Sequence, residues 1–190
     1  EDEMPICETH PCNPITPYGI SKHGMVLAAI NFFKDYGVKI VIARPFNIIG
    51  AGIPPSLVIG AVLSRIKKAL SKANEPAVIS VGNIDTERDF IAVEDVVDAY
   101  LIMIRSDCWG EVFNVCSGKS YSIRSVLQLL ADNSKQKIEF LEDATLIRAT
   151  DVKRVYGSAE KSRKMLEFKP KISLASALTA AWNEAIGRDA

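Results

Sequence analysis

The sequence has no surplus of charge, few cysteines and no long apolar run, and each shortage removes a class of function. Its 23 basic and 23 acidic residues cancel and are dispersed, so no basic stripe is available to follow a nucleic-acid backbone. Hydrophobic residues make up 48% of the 190, yet no apolar run approaches membrane-spanning length. The four cysteines, Cys7, Cys12, Cys108 and Cys116, show no disulfide-framework spacing, which makes a reducing cytoplasm the expected compartment. Cys7, His10 and Cys12 lie close together, but a zinc site needs three or four ligands at a recognisable spacing. No second cluster follows, so ordinary loop thiols and no metal are expected. The opening Glu1-Asp2-Glu3-Met4-Pro5 lacks the basic and apolar regions of a secretory signal. Nor does a methionine stand at position 1, and the opening reads as mid-loop text.

A glycine-rich turn able to cradle a dinucleotide pyrophosphate is also missing. The one candidate, Gly50-Ala51-Gly52-Ile53-Pro54-Pro55, carries a proline at the third glycine position, where close helix packing requires glycine.

What is present alternates between helix and strand. Residues 1–16 are rich in proline and read as an ordered but irregular loop. Pro17 can open a helix, since a first-turn residue needs no amide donor, and that helix runs to Tyr36 with Gly37 as its stop. Val38–Ala43 is β-branched and apolar, as suits a parallel strand buried on both faces. Pro54-Pro55 introduces a helix over Ser56–Lys72, whose terminal Lys67, Lys68 and Lys72 complement the helix dipole. Strands are expected at Ala77–Val81, near Asp89–Ile91, at Glu111–Cys116 and at Lys137–Leu141. Helices are expected over Val93–Arg105, over Ser122–Asn133 with Ser122 as N-cap, and over Ala159–Leu166 and Leu174–Ile186. Helix then strand, repeated, argues for an α/β fold on a parallel sheet.

The most informative feature is Tyr18-Gly19-Ile20-Ser21-Lys22. On a helix, positions four apart share a face, so the phenol and the ammonium point the same way. A cation beside a phenol stabilises the phenolate, making the hydroxyl a usable proton donor and acceptor. An isolated pair at this spacing is weak evidence, because a surface lysine beside a half-buried tyrosine is commonplace.

Context strengthens it. After the pair come Arg44-Pro45-Phe46-Asn47-Ile48-Ile49-Gly50, then Gly82-Asn83-Ile84-Asp85-Thr86-Glu87-Arg88-Asp89-Phe90-Ile91, then Val93-Glu94-Asp95-Val96-Val97-Asp98-Ala99. Near the end stand Arg148-Ala149-Thr150-Asp151 and Gly157-Ser158-Ala159-Glu160-Lys161. In that order these stretches resemble the C-terminal part of an extended short-chain dehydrogenase/reductase of the sugar-nucleotide epimerase/dehydratase family. The nearest likeness is to GDP-mannose 4,6-dehydratase and GDP-4-keto-6-deoxymannose reductase. Two departures, Ala149 after Arg148 and Ser158 after Gly157, weaken the mannose branch more than the family.

The resemblance implies the C-terminal part of a Rossmann-type parallel sheet plus a smaller α/β substrate domain. Residues 1–50 would carry the tyrosine-lysine helix in the NAD(P)-binding domain. Residues 51–190 would form mainly the substrate domain, with the strand and helix around 88–116 returning to the first sheet. It implies that the glycine-rich motif lies upstream, so this polypeptide alone is expected to be inactive and to bind NAD or NADP weakly, with an apolar sheet edge exposed. Tyr18 would move the proton at C4 of a nucleotide-diphosphate hexose, and Lys22 would hold the nicotinamide ribose. Pro45 would pass beneath the nicotinamide. Asn47 and Asn83 would line the sugar-nucleotide site, and Arg88 and Arg148 would clamp the diphosphate, guanidinium forks suiting phosphate oxygens.

For each of these a plainer role exists. Asn47 and Asn83 could be turn residues, Arg88 could pair with Asp85 or Asp89, and Arg148 could pair with Asp151. His23, Trp109 and Trp182 read as packing or solvent-facing residues. Reductase, epimerase and dehydratase remain alternatives, as does a non-catalytic module binding a sugar-nucleotide or a partner. A homodimer through the tyrosine-bearing helix is expected, because Met25, Leu27, Ala28, Ile30 and Phe32 are too many apolar residues for one face.

Overall fold

Helix α1 (Pro17–Tyr36) begins where Thr16 accepts a hydrogen bond from the Gly19 amide at 3.1 Å. It ends at Gly37, whose φ of 66° is the left-handed conformation glycine adopts most readily. The computed structural model describes residues 4–71, 76–147 and 152–187. Both ends of α1 fall where the sequence predicts. None of its residues is fully buried: the inward His23, Val26, Ile30 and Phe33 are half-covered, whereas Met25, Leu27 and Phe32 are 61%, 55% and 51% exposed.

Strand β1 (Ile42–Pro45) pairs in parallel with β6 (Val112–Val115). The expected start at Val38 is therefore four residues early. Pairing cannot begin sooner, because β6 follows the tight Trp109-Gly110 turn, where the Gly110 amide donates to the Ile40 carbonyl at 2.7 Å. Strand β2 (Asn47–Ile49) pairs in parallel with β5 (Phe90–Ala92), and β3 (Ala77–Val81) with β8 (Ile138–Glu142). The strand anticipated at Asp89–Ile91 is interrupted at Asp89. Before it, β4 (Glu87–Arg88) joins β7 (Tyr121–Ser122) and β9 (Arg154–Val155) in a small mixed sheet.

Pro54 and Pro55 lie in a turn rather than in a helix. α2 (Val58–Leu70) starts later, after the Leu57 amide donates to the Pro54 carbonyl at 3.0 Å. Lys72, the expected end, lies outside the described residues. α3 (Val93–Arg105) matches the expected bounds, and α4 (Ile123–Ala131) is capped by Ser122, which accepts from the Ser125 amide at 3.1 Å. A 3-10 turn (Ala144–Leu146), α5 (Glu160–Leu166) and α6 (Leu174–Ala185) follow.

Two apolar clusters hold these pieces. The larger joins α2, β3, α4 and α6 through residues such as Leu63, Ile79, Leu127 and Trp182. The other packs Val96 and Met103 of α3 against Phe113 and Val115 of β6 and Leu166 of α5. Leu63, Leu127, Trp182 and Phe113 are each at most 2% exposed, so each contributes about 1.5–3 kcal/mol of burial. Sequence order runs back and forth between the clusters: β2 and α2 feed the first, β5 gives Phe90 and Ala92 to the first and Ile91 to the second, and α3 returns to the second. The returns bring Asn47, Asn83 and Arg88 to one place.

Candidate active site

Tyr18 and Lys22 project from the first and second turns of α1 into a cavity of about 750 Å³ between that helix and the β1 edge. The Lys22 ammonium lies 5.5 Å from the centre of the Tyr18 ring, so the helix delivers the shared direction expected of it. Tyr18 is 73% exposed, open to a ligand rather than sealed in the core. Pro45 lines the same cavity, as do His23 and Tyr100.

A second cavity, about 270 Å³, is lined by Asn47, Asn83 and Arg88 together with Arg65 and the apolar Val58, Val62, Val81 and Leu146. Its walls carry two guanidinium groups, and no carboxylate is among its described lining residues. Asn47 donates its side-chain amide to the Asp89 carbonyl at 2.7 Å. Asn83 receives the Asp85 amide at 3.0 Å, an Asx turn, yet still lines the cavity. Arg88 donates to the Glu87 and Val152 carbonyls, each at 2.8 Å. The proposed pairing of Arg88 with Asp85 or Asp89 does not form. Asp85 pairs instead with Arg124 at 2.8 Å, and the Asp89 carboxylate is engaged elsewhere. Arg148 and its suggested partner Asp151 lie outside the described residues.

A third cavity, about 470 Å³, shares Cys12, Arg44 and Pro45 with the first and Asn47 with the second. The three therefore adjoin.

Asp89 carries no predicted function, but it organises the centre. Fully buried, its carboxylate accepts from the Ser117 hydroxyl at 2.6 Å and from the amides of Ser117, Gly118 and Gly157 at 2.9, 3.0 and 3.2 Å. Burial pushes its carboxyl above the ordinary aspartate value, while the hydrogen bonds from Ser117, Gly157 and Gly118 pull the other way. The same burial, with the charge of Asp89 added, raises the Cys116 thiol to about 12. The sequence signal was there: a charge between Arg88 and the apolar Phe90-Ile91-Ala92 can enter the interior only if its oxygens are satisfied. Arg65 was missed too, although it continues the apolar face Val58, Ala61 and Val62 at helical spacing.

The Gly50–Pro55 turn offers no pyrophosphate cradle, since the Gly52 amide donates to the Glu184 carboxylate at 3.3 Å.

The sequence pattern describing GDP-mannose 4,6 dehydratase matches residues 1–180. GDP-6-deoxy-D-mannose reductase of Pseudomonas aeruginosa is 35% identical over 183 residues, covering 95% of this chain and 59% of that protein. The solved structure of RMD from Pseudomonas aeruginosa complexed with NADPH superposes with a TM-score of 0.88 at 32% identity, covering 97% of this chain and 61% of that one. UDP-glucose 4-epimerase of Thermotoga maritima, solved with UDP-glucose, gives a TM-score of 0.84 at 25% identity, covering 95% and 56%. The chain thus spans roughly three-fifths of the length of these relatives.

Proposed function

This chain belongs to the GDP-mannose 4,6 dehydratase family, and from that premise we propose that the full-length protein is an NAD(P)-dependent enzyme acting at C4 of a GDP-linked hexose. Its mixed α/β architecture, with parallel strand pairs, is that of the Rossmann-type epimerases and reductases. The observation carrying the proposal is the adjacency of the Tyr18–Lys22 cavity to the slot holding Asn47, Asn83 and Arg88.

Tyr18 gives its phenolic proton to the C4 oxygen of a ketone, or takes it from a C4 alcohol. Lys22, one turn further on, sets its ammonium 5.5 Å from the centre of the Tyr18 ring and has donors for the ribose hydroxyls of the cofactor. The open cavity along α1 and β1 is large enough for a nicotinamide nucleoside, with Pro45 as part of its floor. When bound, the nicotinamide supplies or accepts the hydride at C4. Asn47 and Asn83 hold hydroxyl and phosphate oxygens, their amides both donating and accepting. Arg88, joined by Arg148, neutralises the diphosphate. In this reading residues 1–50 belong to the cofactor domain and 51–190 mainly to the substrate domain. The pairing of β6 with β1 supports a return of the segment around 88–116 to the first sheet.

Reduction at C4 is the reaction we favour, because it needs no acid–base group beyond Tyr18, whereas a dehydratase must also remove the C5 proton and expel the C6 hydroxyl. The uncovered Met25, Leu27 and Phe32 of α1 support a homodimer through that helix, and four free cysteines suit the cytoplasm.

In the full-length protein, Tyr18→Phe should lower turnover by about 10²–10⁴-fold, the usual contribution of a positioned proton donor, while nucleotide-sugar affinity changes little. Turnover retained by the phenylalanine variant would sink the proposal.

A further inference from the structure

Besides Asn47, Asn83 and Arg88, the slot is lined by the hydroxyl residues Ser56 and Thr86 and by a second guanidinium, Arg65, which the hexose and diphosphate roles leave unused. Arg65 lies on α2 on the same face as Val58, Ala61 and Val62, and all four line the slot. Seven residues along a helix is about 10 Å, so this face presents an apolar wall with a guanidinium at its far end. Val81 and Leu146 extend the apolar wall. A flat heterocycle suits such a wall, and the phosphates fall to Arg88 in the reading above.

Arg65 is held but not used up. One terminal nitrogen donates to the Ser80 carbonyl at 2.8 Å. Arginine has five N–H donors, and no other hydrogen bond or ion pair engages Arg65 among the described residues. Its charge is also felt nearby: hydrogen bonds from Thr145 hold the Asp143 carboxyl below the usual range, and Arg65 acts in the same direction.

A guanidinium can only donate. Guanine presents two adjacent acceptors, O6 and N7, which an arginine fork meets with paired hydrogen bonds. Adenine puts an amino group where guanine has O6, and a pyrimidine lacks N7. We propose that Arg65 reads the edge of the nucleotide base and makes the slot selective for guanine over uracil and adenine. The proposal rests on the nucleotide-sugar reading above, which by itself leaves the base unassigned to any residue.

The test is calorimetric titration of full-length protein with GDP, IDP, UDP and ADP, for the wild type, Arg65→Met and Arg65→Lys. IDP keeps O6 and N7 but lacks the guanine amino group. The wild type should bind GDP and IDP about tenfold or more tighter than UDP and ADP, the discrimination expected of a paired contact. Arg65→Met, which keeps the apolar stem, should lose about tenfold or more for GDP and IDP and less than about threefold for the other two. Arg65→Lys should lose most of the guanine preference, since an ammonium lacks the planar fork.

An equal loss for all four nucleotides would mean that Arg65 serves the phosphates and would overturn the assignment. So would an unchanged GDP affinity in Arg65→Met, or a full guanine preference in Arg65→Lys. Failure of the wild type to bind any of the four would instead sink the nucleotide-sugar reading itself.

Discussion

Gly110 is the position at which a single methyl group should disturb the site without touching it. Its φ of 84° is left-handed, and a Cβ there would stand 2.3 Å from Cε1 and 2.6 Å from Cδ1 of Phe33. Phe33 lies on the inward face of α1, the helix that carries Tyr18 and Lys22 and has no fully buried residue. For Gly110→Ala, the left-handed backbone costs about 1–2 kcal/mol, and the overlap would add about 1–3 kcal/mol if Phe33 stayed in place. A helix so lightly held yields instead of compressing. The expected loss of stability is therefore about 1–2 kcal/mol, and the overlap appears as a shifted α1 and a turnover reduced about tenfold or more. The assays are urea unfolding and steady-state turnover of the full-length protein, for Gly110→Ala, Phe33→Ala and the double variant. With Phe33 truncated there is nothing to strike, so the double variant should turn over like Phe33→Ala alone. Wild-type turnover in Gly110→Ala, or independent effects in the double variant, would refute the claim that Phe33 on Gly110 seats the helix that carries Tyr18 and Lys22.

Further expectations concern the buried centre and the loop before α1. Asp89→Asn replaces an acceptor of four hydrogen bonds by an amide that must turn donors toward donors, and should cost about 2–4 kcal/mol in chemical unfolding. Burial raises the Asp89 carboxyl above 3.8, so the folded protein keeps a proton at pH values where the unfolded chain has lost it. Its contribution is thus fullest below 3.8 and falls as pH rises through the folded value, and the stability gap between wild type and Asp89→Asn should narrow in that direction. A gap that widens with pH would show the sign to be wrong. Cys7 is exposed and its thiol is lowered by the hydrogen bond with Thr9, whereas burial and the Asp89 charge raise Cys116 to about 12. Iodoacetamide followed by mass spectrometry should label Cys7 early and Cys116 last, and Thr9→Val should slow the labelling of Cys7; prompt labelling of Cys116 in folded protein would contradict the account.

What could be read in advance was whatever local chemistry decides. Pro17 and Gly37 bound α1 because the ring and the left-handed φ act within one residue, and Ser122 caps α4 for the same reason. Val38–Ala43 was read too early because a strand begins where its neighbour begins, and that neighbour lies about seventy residues away across the Gly110 turn. Two-residue strands such as β4, β7 and β9 have no periodicity to detect; tertiary pairing alone defines them. In the site, Tyr18 and Lys22 were legible because four residues on a helix fix a direction. Asn47, Asn83 and Arg88 were named through a likeness, and the structure brings these three to one slot. Asp89 entered only as an alternative partner of Arg88, since in sequence nothing tells that its oxygens face the amides of Ser117, Gly118 and Gly157. Arg65 escaped notice because the three lysines after it drew the reading toward the helix dipole.

The proposed chemistry requires the C4 oxygen of a hexose to meet the phenol of Tyr18. A crystal structure of the full-length protein with a nicotinamide cofactor and a GDP-linked hexose tests it most directly. The C4 oxygen should lie about 2.6–3.2 Å from the Tyr18 hydroxyl, with the diphosphate on Arg88 and the base in the slot beside Arg65. A hexose bound with C4 turned away from Tyr18, or a diphosphate lying outside the Arg88 slot, would contradict it.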